Sequence, residues 1–249
     1  MAAPGKGELK FYASLKQRKA REESGLFLAE GRKVVEEGLR SGCPCDAVFV
    51  REGFYGRHEE TDALLSSANA VLLSEREFDR LADTEHPQGL IGAFRSASLV
   101  VPEPAAPLLP ALFDVADPRN MGTIVRSADW FGFPELLLGG TCVDPFNAKA
   151  VRSSMGSVFR TRFVLCEDLA ARLAGLKERY RVLVADLDGR DYREFRDGLP
   201  SVLVFSNEAR VPSAEILALA DGIATIPGAG GAESLSVAIA ASVFMAALA

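Results

Sequence analysis

The sequence predicts an α/β protein, with a small α/β domain over residues 1–100, a proline-rich linker over 101–110 and a larger parallel-sheet domain over 111–249. Three observations carry this. Short apolar runs alternate with amphipathic stretches in both halves, as strands alternate with helices. "VVPEPAAPLLP" places four prolines between Pro102 and Pro110, which suits an extended connector better than a helix or a central strand. The chain closes on the uncharged stretch "SLSVAIAASVFMAALA", apolar nearly all round and therefore a helix meant for a core or a subunit interface.

In the first domain "LKFYASLKQRKA" and "AEGRKVVEEGLRSG" read as helices, and "DAVFV", "AVLLS" and "GLIGAF" as short strands. After the linker come the strand-like runs "ALFDV", "ELLLG", "RFVLC", "RVLVADL", "SVLVFS" and "GIATI". Helical stretches such as "NMGTIVRSADWFG" and "EDLAARLAGLKERY" separate them, and that alternation implies a mainly parallel sheet covered on both faces. Ligands of such sheets sit at the carboxyl ends of the strands. Three polar loops satisfy that rule: "DVADPRNMGTIVR", "SNEARVPS" and "PGAGGAESLS".

Composition narrows the chemistry. With 48% hydrophobic and 25% charged residues the chain is of the soluble globular class. It carries no apolar run of membrane-spanning length and no leader-like segment at its start, so a cytoplasmic protein without membrane contact is expected. Cys43, Cys45, Cys142 and Cys166 are too scattered for a disulfide framework or a zinc site and read as ordinary thiols. The two histidines, His58 and His86, lack ligand spacing, so no metal is expected and Ser-His-Asp chemistry is disfavoured. A net charge of -6 argues against a protein that coats nucleic acid indiscriminately. A local patch remains in "KFYASLKQRKAR", where Lys10, Lys16, Arg18, Lys19 and Arg21 are candidate RNA contacts or a solvated helix face.

The glycine-rich stretch "GAGGAESLSVAIAAS" resembles a phosphate cradle opening a helix, yet it fails both nucleotide fingerprints. Glu233 stands where the dinucleotide motif needs its last glycine, and no Lys-Ser or Lys-Thr pair follows as a Walker loop requires. A carboxylate beside a pyrophosphate is electrostatically unfavourable.

Together the three loops resemble the SpoU, or TrmH, family of RNA ribose 2'-O-methyltransferases within the SPOUT superfamily. "DPRNMGTIVRSADWFGF" is similar to the family's Asn-x-Gly-x-x-x-Arg-x-Ala motif, with Asn120, Gly122, Arg126 and Ala128 in place. "KAVRSSMGSVFR" resembles the segment ending in Ser-x-Gly, here Ser154 and Gly156. "FSNEARVPSAEI" resembles the second motif through Asn207 and Glu208, and "IPGAGGAESLSVAIAAS" the third through Ile226, Pro227, Glu233, Ser234, Leu235 and Val237. In the first domain "RKAREESGLFLAEGRKVVEEGL" and "HPQGLIGAF" look like the family's substrate-binding domain.

The resemblance implies a trefoil-knotted methyltransferase domain, S-adenosyl-L-methionine as cofactor, and a homodimer with the active site at its interface. It implies methyl transfer to a ribose 2'-hydroxyl of RNA, with 23S ribosomal RNA the favoured target; a tRNA target and a catalytically weakened RNA-binding paralogue are the alternatives. By the same resemblance Leu138, Gly139, Ser206, Asn207, Glu208, Ile226, Gly228, Ser234, Leu235 and Ser236 are the expected cofactor contacts. Arg126 is the expected catalytic residue and an RNA contact, with Asn120 and Glu208 orienting the site and Ser234 touching RNA or Arg126. Because guanidinium rarely gives up a proton, phosphate clamping and oxyanion stabilisation suit Arg126 better than the family's proposal of deprotonation. Plainer roles also fit. Asn120 suits the cap of a helix starting at Met121, Arg126 an ion pair with Asp129 or Asp117, Ser234 the cap of the last helix, and Glu208 simple solvation.

The chain departs from the family pattern at Ser206, Ala209, Val211 and Gly228, and above all at Ser236, where the family has Asn. Serine loses the amide's reach and a hydrogen bond worth about 1 kcal/mol, which puts cofactor affinity in question.

Overall fold

The computed structural model describes residues 5–207 and 212–249. The chain divides into two compact units, one of residues 1–99 and 144–160, the other of residues 100–143 and 161–249.

The first unit opens with helices α1 (Lys6–Ser14) and α2 (Arg18–Ser24), followed by β1 (Leu26–Glu30), α3 (Arg32–Arg40), β2 (Cys45–Arg51), α4 (Glu59–Ser66), β3 (Ala70–Leu73), α5 (Glu75–Leu81) and β4 (Leu90–Arg95). Its four-stranded sheet has the order β1-β4-β2-β3, in which β4 runs antiparallel to both neighbours and β3 parallel to β2. The expected single helix over 9–20 is two helices. Arg21 explains the break, since its Nη1 donates to the carbonyls of Leu15 and Lys16 at 2.9 and 3.0 Å, closing the end of α1 from the next helix. Ala29 and Glu30, expected to begin a helix, end β1 instead. Gly25 at φ 66° and Gly31 at φ 109° bracket that strand, both in the left-handed region that glycine enters without strain.

The second unit holds β5 (Leu108–Phe113), α6 (Pro118–Trp130) and β6 (Glu135–Gly139). The chain then returns to the first unit through α7 (Ala148–Ser153), which packs on β1. Phe146 and Phe159 lie against Phe27 at ring-centroid distances of 4.9 and 5.8 Å, and this aromatic cluster is why residues 144–160 leave the domain in which the sequence places them. Back in the second unit follow β7 (Arg162–Cys166), α8 (Leu169–Leu176), β8 (Arg181–Asp191), β9 (Ser201–Ser206), α9 (Ala214–Leu219), β10 (Gly222–Thr225) and α10 (Val237–Leu248).

Those strands form a six-stranded, wholly parallel sheet in the order β10-β8-β9-β5-β6-β7. The linker is shorter than expected, because Leu108–Pro110 already belong to β5. Pro110 is tolerated there since β5 pairs with β9 at that point and with β6 only from Ala111 onward, so its missing N–H leaves no rung empty. One face of the sheet buries Leu109, Leu137, Val182 and Val202 against Leu169, Leu173 and Ile216 of α8 and α9. On α6 and α10, which pack together, the hydroxyls of Ser127 and Ser242 share a hydrogen bond of 2.7 Å.

Candidate active site

Three neighbouring strands, β8, β9 and β10, deliver their carboxyl ends to one cavity of 620 Å³ in the second unit. Phe205, Ser206 and Asn207 reach it from β9, and Thr225 leads from β10 into the loop that continues round its rim. The contribution of β8 depends on a bulge. Ile223 of β10 pairs with Val184 while the next residue, Ala224, pairs with Arg190, so the intervening part of β8 bows away and Ala185, Asp186 and Leu187 line the cavity. Gly189 permits this close return: a Cβ there would stand 2.7 Å from the carbonyl oxygen of Ile223. Val237, Ala240 and Phe244 of α10 close the apolar side, with the Phe244 ring set edge-on to Phe205 at 5.4 Å.

Among the described residues, no backbone–backbone hydrogen bond ties the stretch 226–235. Its N–H and C=O groups are therefore left to solvent and open to a ligand. Gly228, Gly230 and Gly231 have no heavy atom within 4 Å of where a Cβ would sit, which keeps the rim open to close backbone approach. Among the described residues the carboxylates of Asp186 and Glu233 line the same cavity. That charge repels a pyrophosphate and suits a cation.

Of the residues expected from the sequence, Ser206, Asn207, Ile226, Gly228, Ser234 and Leu235 come together here. Glu208 lies outside the described residues. Ser236 does not line the cavity; it is the N-cap of α10, its Oγ accepting from the Ile239 N–H at 3.4 Å. That is the capping role the sequence allowed to Ser234. Leu138 and Gly139 end β6, which is separated from β9 by β5, and neither lines the cavity. Packing accounts for that glycine, since a Cβ at 139 would collide with Leu169 Cβ at 2.5 Å.

Asn120 and Arg126 lie on α6 outside the cavity lining. The helix starts at Pro118 with Asp117 as its cap, the Asp117 carboxylate accepting from the Arg119 N–H at 2.8 Å, so Asn120 has no capping duty. Arg126 is exposed and has no hydrogen bond or ion pair among the described residues, neither with Asp117 nor with Asp129. It shares an outward stripe with Arg119, Thr123 and Trp130, the last 82% exposed.

The basic segment fares differently. Lys16 Nζ donates to the carbonyls of Arg80 and Ala82 at 3.0 and 2.7 Å, which caps the end of α5. Arg21 is buried and paired with Asp144 at 2.6 Å. Arg18 and Lys19 face Glu22 and Glu23 one turn on, and only Lys10 is without a partner among the described residues. The run is mostly a structural feature of the first unit.

Asp186 escaped the sequence reading, although the carboxyl-end rule applied to "RVLVADL" points at it. The thiols stay out of the chemistry: burial pushes Cys142 up to about 11 and Cys45 up to about 12, far from the thiolate a nucleophile needs. Among the described residues no cluster of His, Cys, Asp or Glu is placed to hold a metal ion, and no helix is long and apolar enough to cross a membrane.

Residues 107–246, the cavity included, match the SpoU rRNA Methylase family. The chain belongs to the SpoU family. Residues 6–92 match the MRM3-like substrate binding domain. Among curated relatives of this SpoU protein is the 23S rRNA (guanosine(2553)-2'-O)-methyltransferase RlmP of Bacillus subtilis, 31% identical, with the match covering 96% of this chain and 94% of that one. Among solved structures, a Porphyromonas gingivalis protein assigned to the TrmH family of RNA methyltransferases superposes with a TM-score of 0.85 at 32% identity, over 99% of this chain and 98% of the other. An AdoMet-bound rRNA methyltransferase from Sinorhizobium meliloti superposes with a TM-score of 0.80 at 28% identity, over 100% of this chain and 96% of the other. As a SpoU protein the chain is an S-adenosylmethionine-dependent RNA methyltransferase. The cavity fits that cofactor: its volume falls within the roughly 300–1,000 Å³ of small-molecule sites, its rim offers unused backbone groups, and its carboxylates suit a sulfonium.

Proposed function

We propose that the protein methylates a ribose 2'-hydroxyl in 23S ribosomal RNA, in the cytoplasm and as a homodimer. The observation that carries the reading is the cavity at the ends of β8, β9 and β10, lined by the second and third family motifs and closed by α10. Ser206, Asn207, Ile226, Gly228 and Leu235 would hold the adenosine part of the cofactor, largely through backbone groups, while Asp186 and Glu233 face its positive charge. Bound there, S-adenosylmethionine supplies an electrophilic methyl group.

The remaining work belongs to the chain. Among the described residues the cavity lining carries no cation, and Arg126 stands on α6 with no partner among them. We assign Arg126 of a second copy to the RNA phosphate and to the charge developing on the 2'-oxygen, with Asn120 and Ser234 orienting it. The dimer is supported by the outward stripe Ile239, Val243 and Ala246 on the charge-free α10, where Ile239 is 52% exposed. The trefoil knot expected of the family is supported by the path of α10, which follows the edge strand β10 yet packs on α6.

The test is to incubate the protein with methyl-labelled S-adenosylmethionine and either 23S ribosomal RNA or tRNA from a strain lacking the gene, then map ribose methylation. Label at one 23S nucleotide is expected. Label confined to tRNA would overturn the ribosomal target, and no label on either RNA would overturn the activity.

A further inference from the structure

The first unit contains a second cavity, of 520 Å³, which no functional role yet uses. Segments far apart in sequence build it: the turn from β1 into α3, the residue before α4, the stretch after α5, and the end of α7. Together they present Arg32, Lys33, His58, His86, Gln88 and Arg152. The two stretches singled out above as substrate-domain-like, "LAEGRK" and "HPQG", thus meet at one place.

The chemistry of this cleft is that of an anion site with flat rings beside it. Arg152 Nη2 contacts Asp83 at 3.2 Å, whereas its Nη1 is buried, has no hydrogen-bond partner and lies 3.7 Å from Glu30. Glu30 already accepts from the Asp83 N–H at 2.7 Å and from the Thr84 hydroxyl, so it is satisfied without Arg152. A buried guanidinium nitrogen held only by an ion pair at 3.7 Å, beyond hydrogen-bond reach, is poorly satisfied and gains from an incoming acceptor. Lys33 is exposed and has no partner among the described residues. The N-cap of α3, Gly31, supplies no side-chain cap; the Arg32 N–H is met by Gln88 Oε1 at 3.2 Å, and the first turn adds positive potential to the same opening. His58 rests on Phe54 with ring centroids 5.8 Å apart, and His86 is exposed. Imidazole faces of this kind stack on unpaired bases.

We infer that this cleft binds one phosphate and the adjoining base of an unpaired nucleotide in the RNA substrate, with Arg152 and Lys33 taking the phosphate and His58 and His86 the base. The inference rests on the RNA substrate proposed above. It places an RNA contact of the first unit on a surface assembled by the fold, apart from the basic run of α1 and α2, in which Lys16 and Arg21 are held by internal partners.

Lys33→Glu is the principal test, because nothing in the fold depends on Lys33; Arg152→Gln is the second. Binding of a labelled single-stranded oligoribonucleotide and of 23S ribosomal RNA is measured by fluorescence anisotropy over a range of salt, without cofactor, alongside S-adenosylmethionine affinity and Tm. Lys33→Glu is expected to weaken RNA binding about tenfold and to make the salt dependence shallower by about 0.7 in log–log slope, one phosphate contact on a single strand, with cofactor affinity and Tm unchanged. Wild-type affinity and slope in Lys33→Glu would overturn the inference. So would competition by a nucleoside monophosphate at a site whose loss leaves RNA binding intact, which would mark a free-nucleotide pocket. Because the assay needs no methyl transfer, wild-type protein that binds RNA but labels none would refute the proposed activity while the cleft is still measured.

Discussion

In the second unit the residues that follow β10 line a cavity and, among the described residues, make no backbone–backbone hydrogen bond from 226 to 235, whereas in the first unit Lys16 and Arg21 of the basic run are engaged by the fold. Both stretches look functional in the sequence, but in the basic run Lys16 and Arg21 are taken up by the fold while Arg18 and Lys19 keep only exposed surface pairs. The difference lies in what each position is required to do. A strand end in a parallel sheet leaves backbone and side-chain groups pointing past the last rung, with no further ladder to satisfy them. A basic residue within a helical hairpin has carbonyl ends and acidic neighbours within reach, and it takes them.

The largest effect that would sharpen this contrast is at Arg126, an exposed cation of the second unit. Arg126→Ala should lower kcat by about 10³-fold, the scale for losing a donor to a developing oxyanion. With no partner among the described residues to lose, Tm should hold within about 1 °C, the shift of a neutral surface substitution. Wild-type turnover in this variant would break the assignment of Arg126 to the reaction.

The corresponding change in the first unit should show the opposite pattern. Arg21→Ala removes two capping bonds to the end of α1 and leaves Asp144 without its cation, and both side chains of that pair are largely buried. A cost of about 3 kcal/mol in stability is expected, as for other broken buried pairs, while folded protein should bind RNA as the wild type does. Denaturant unfolding and anisotropy separate the two quantities. Loss of RNA affinity at unchanged stability would return the basic run to the RNA surface.

These cases show what was legible in the sequence. Each strand of the second unit overlaps the apolar run that predicts it, because a buried parallel strand is apolar; the ends are less legible, since β5 starts within the proline-rich stretch and β8 continues past "RVLVADL" to Asp191. β1 was hidden because "LFLAEGRKVVEEGL" carries an apolar run straight into an amphipathic one, and only Gly31, at φ 109°, separates them. The return of residues 144–160 to the first unit was not legible at all, since it depends on Phe146 and Phe159 finding Phe27 across more than a hundred residues of chain. In the site, Ser206, Asn207, Ile226, Gly228, Ser234 and Leu235, all named from the motif order, line one cavity. Gly139, named with them, packs against Leu169 outside that lining, and Asp186, which the motifs do not include, reaches the cavity through the register shift between β8 and β10.

The smallest expected effect is at Ser236, the most conspicuous departure from the family pattern. Its hydroxyl caps α10 by accepting from the Ile239 N–H, and it stands beside the cavity rather than in its lining. Serine and asparagine cap helices about equally well, so Ser236→Asn should change stability by no more than about 0.5 kcal/mol, while Ser236→Ala should cost about 1 kcal/mol. If capping is the whole of its role, calorimetry should give the same S-adenosylmethionine affinity for wild type and Ser236→Asn. A tenfold gain on introducing Asn would mean that the longer amide reaches the cofactor where serine falls short. The third motif would then be a weakened contact, and the reading of this chain as a catalytically reduced RNA binder would gain its first physical support.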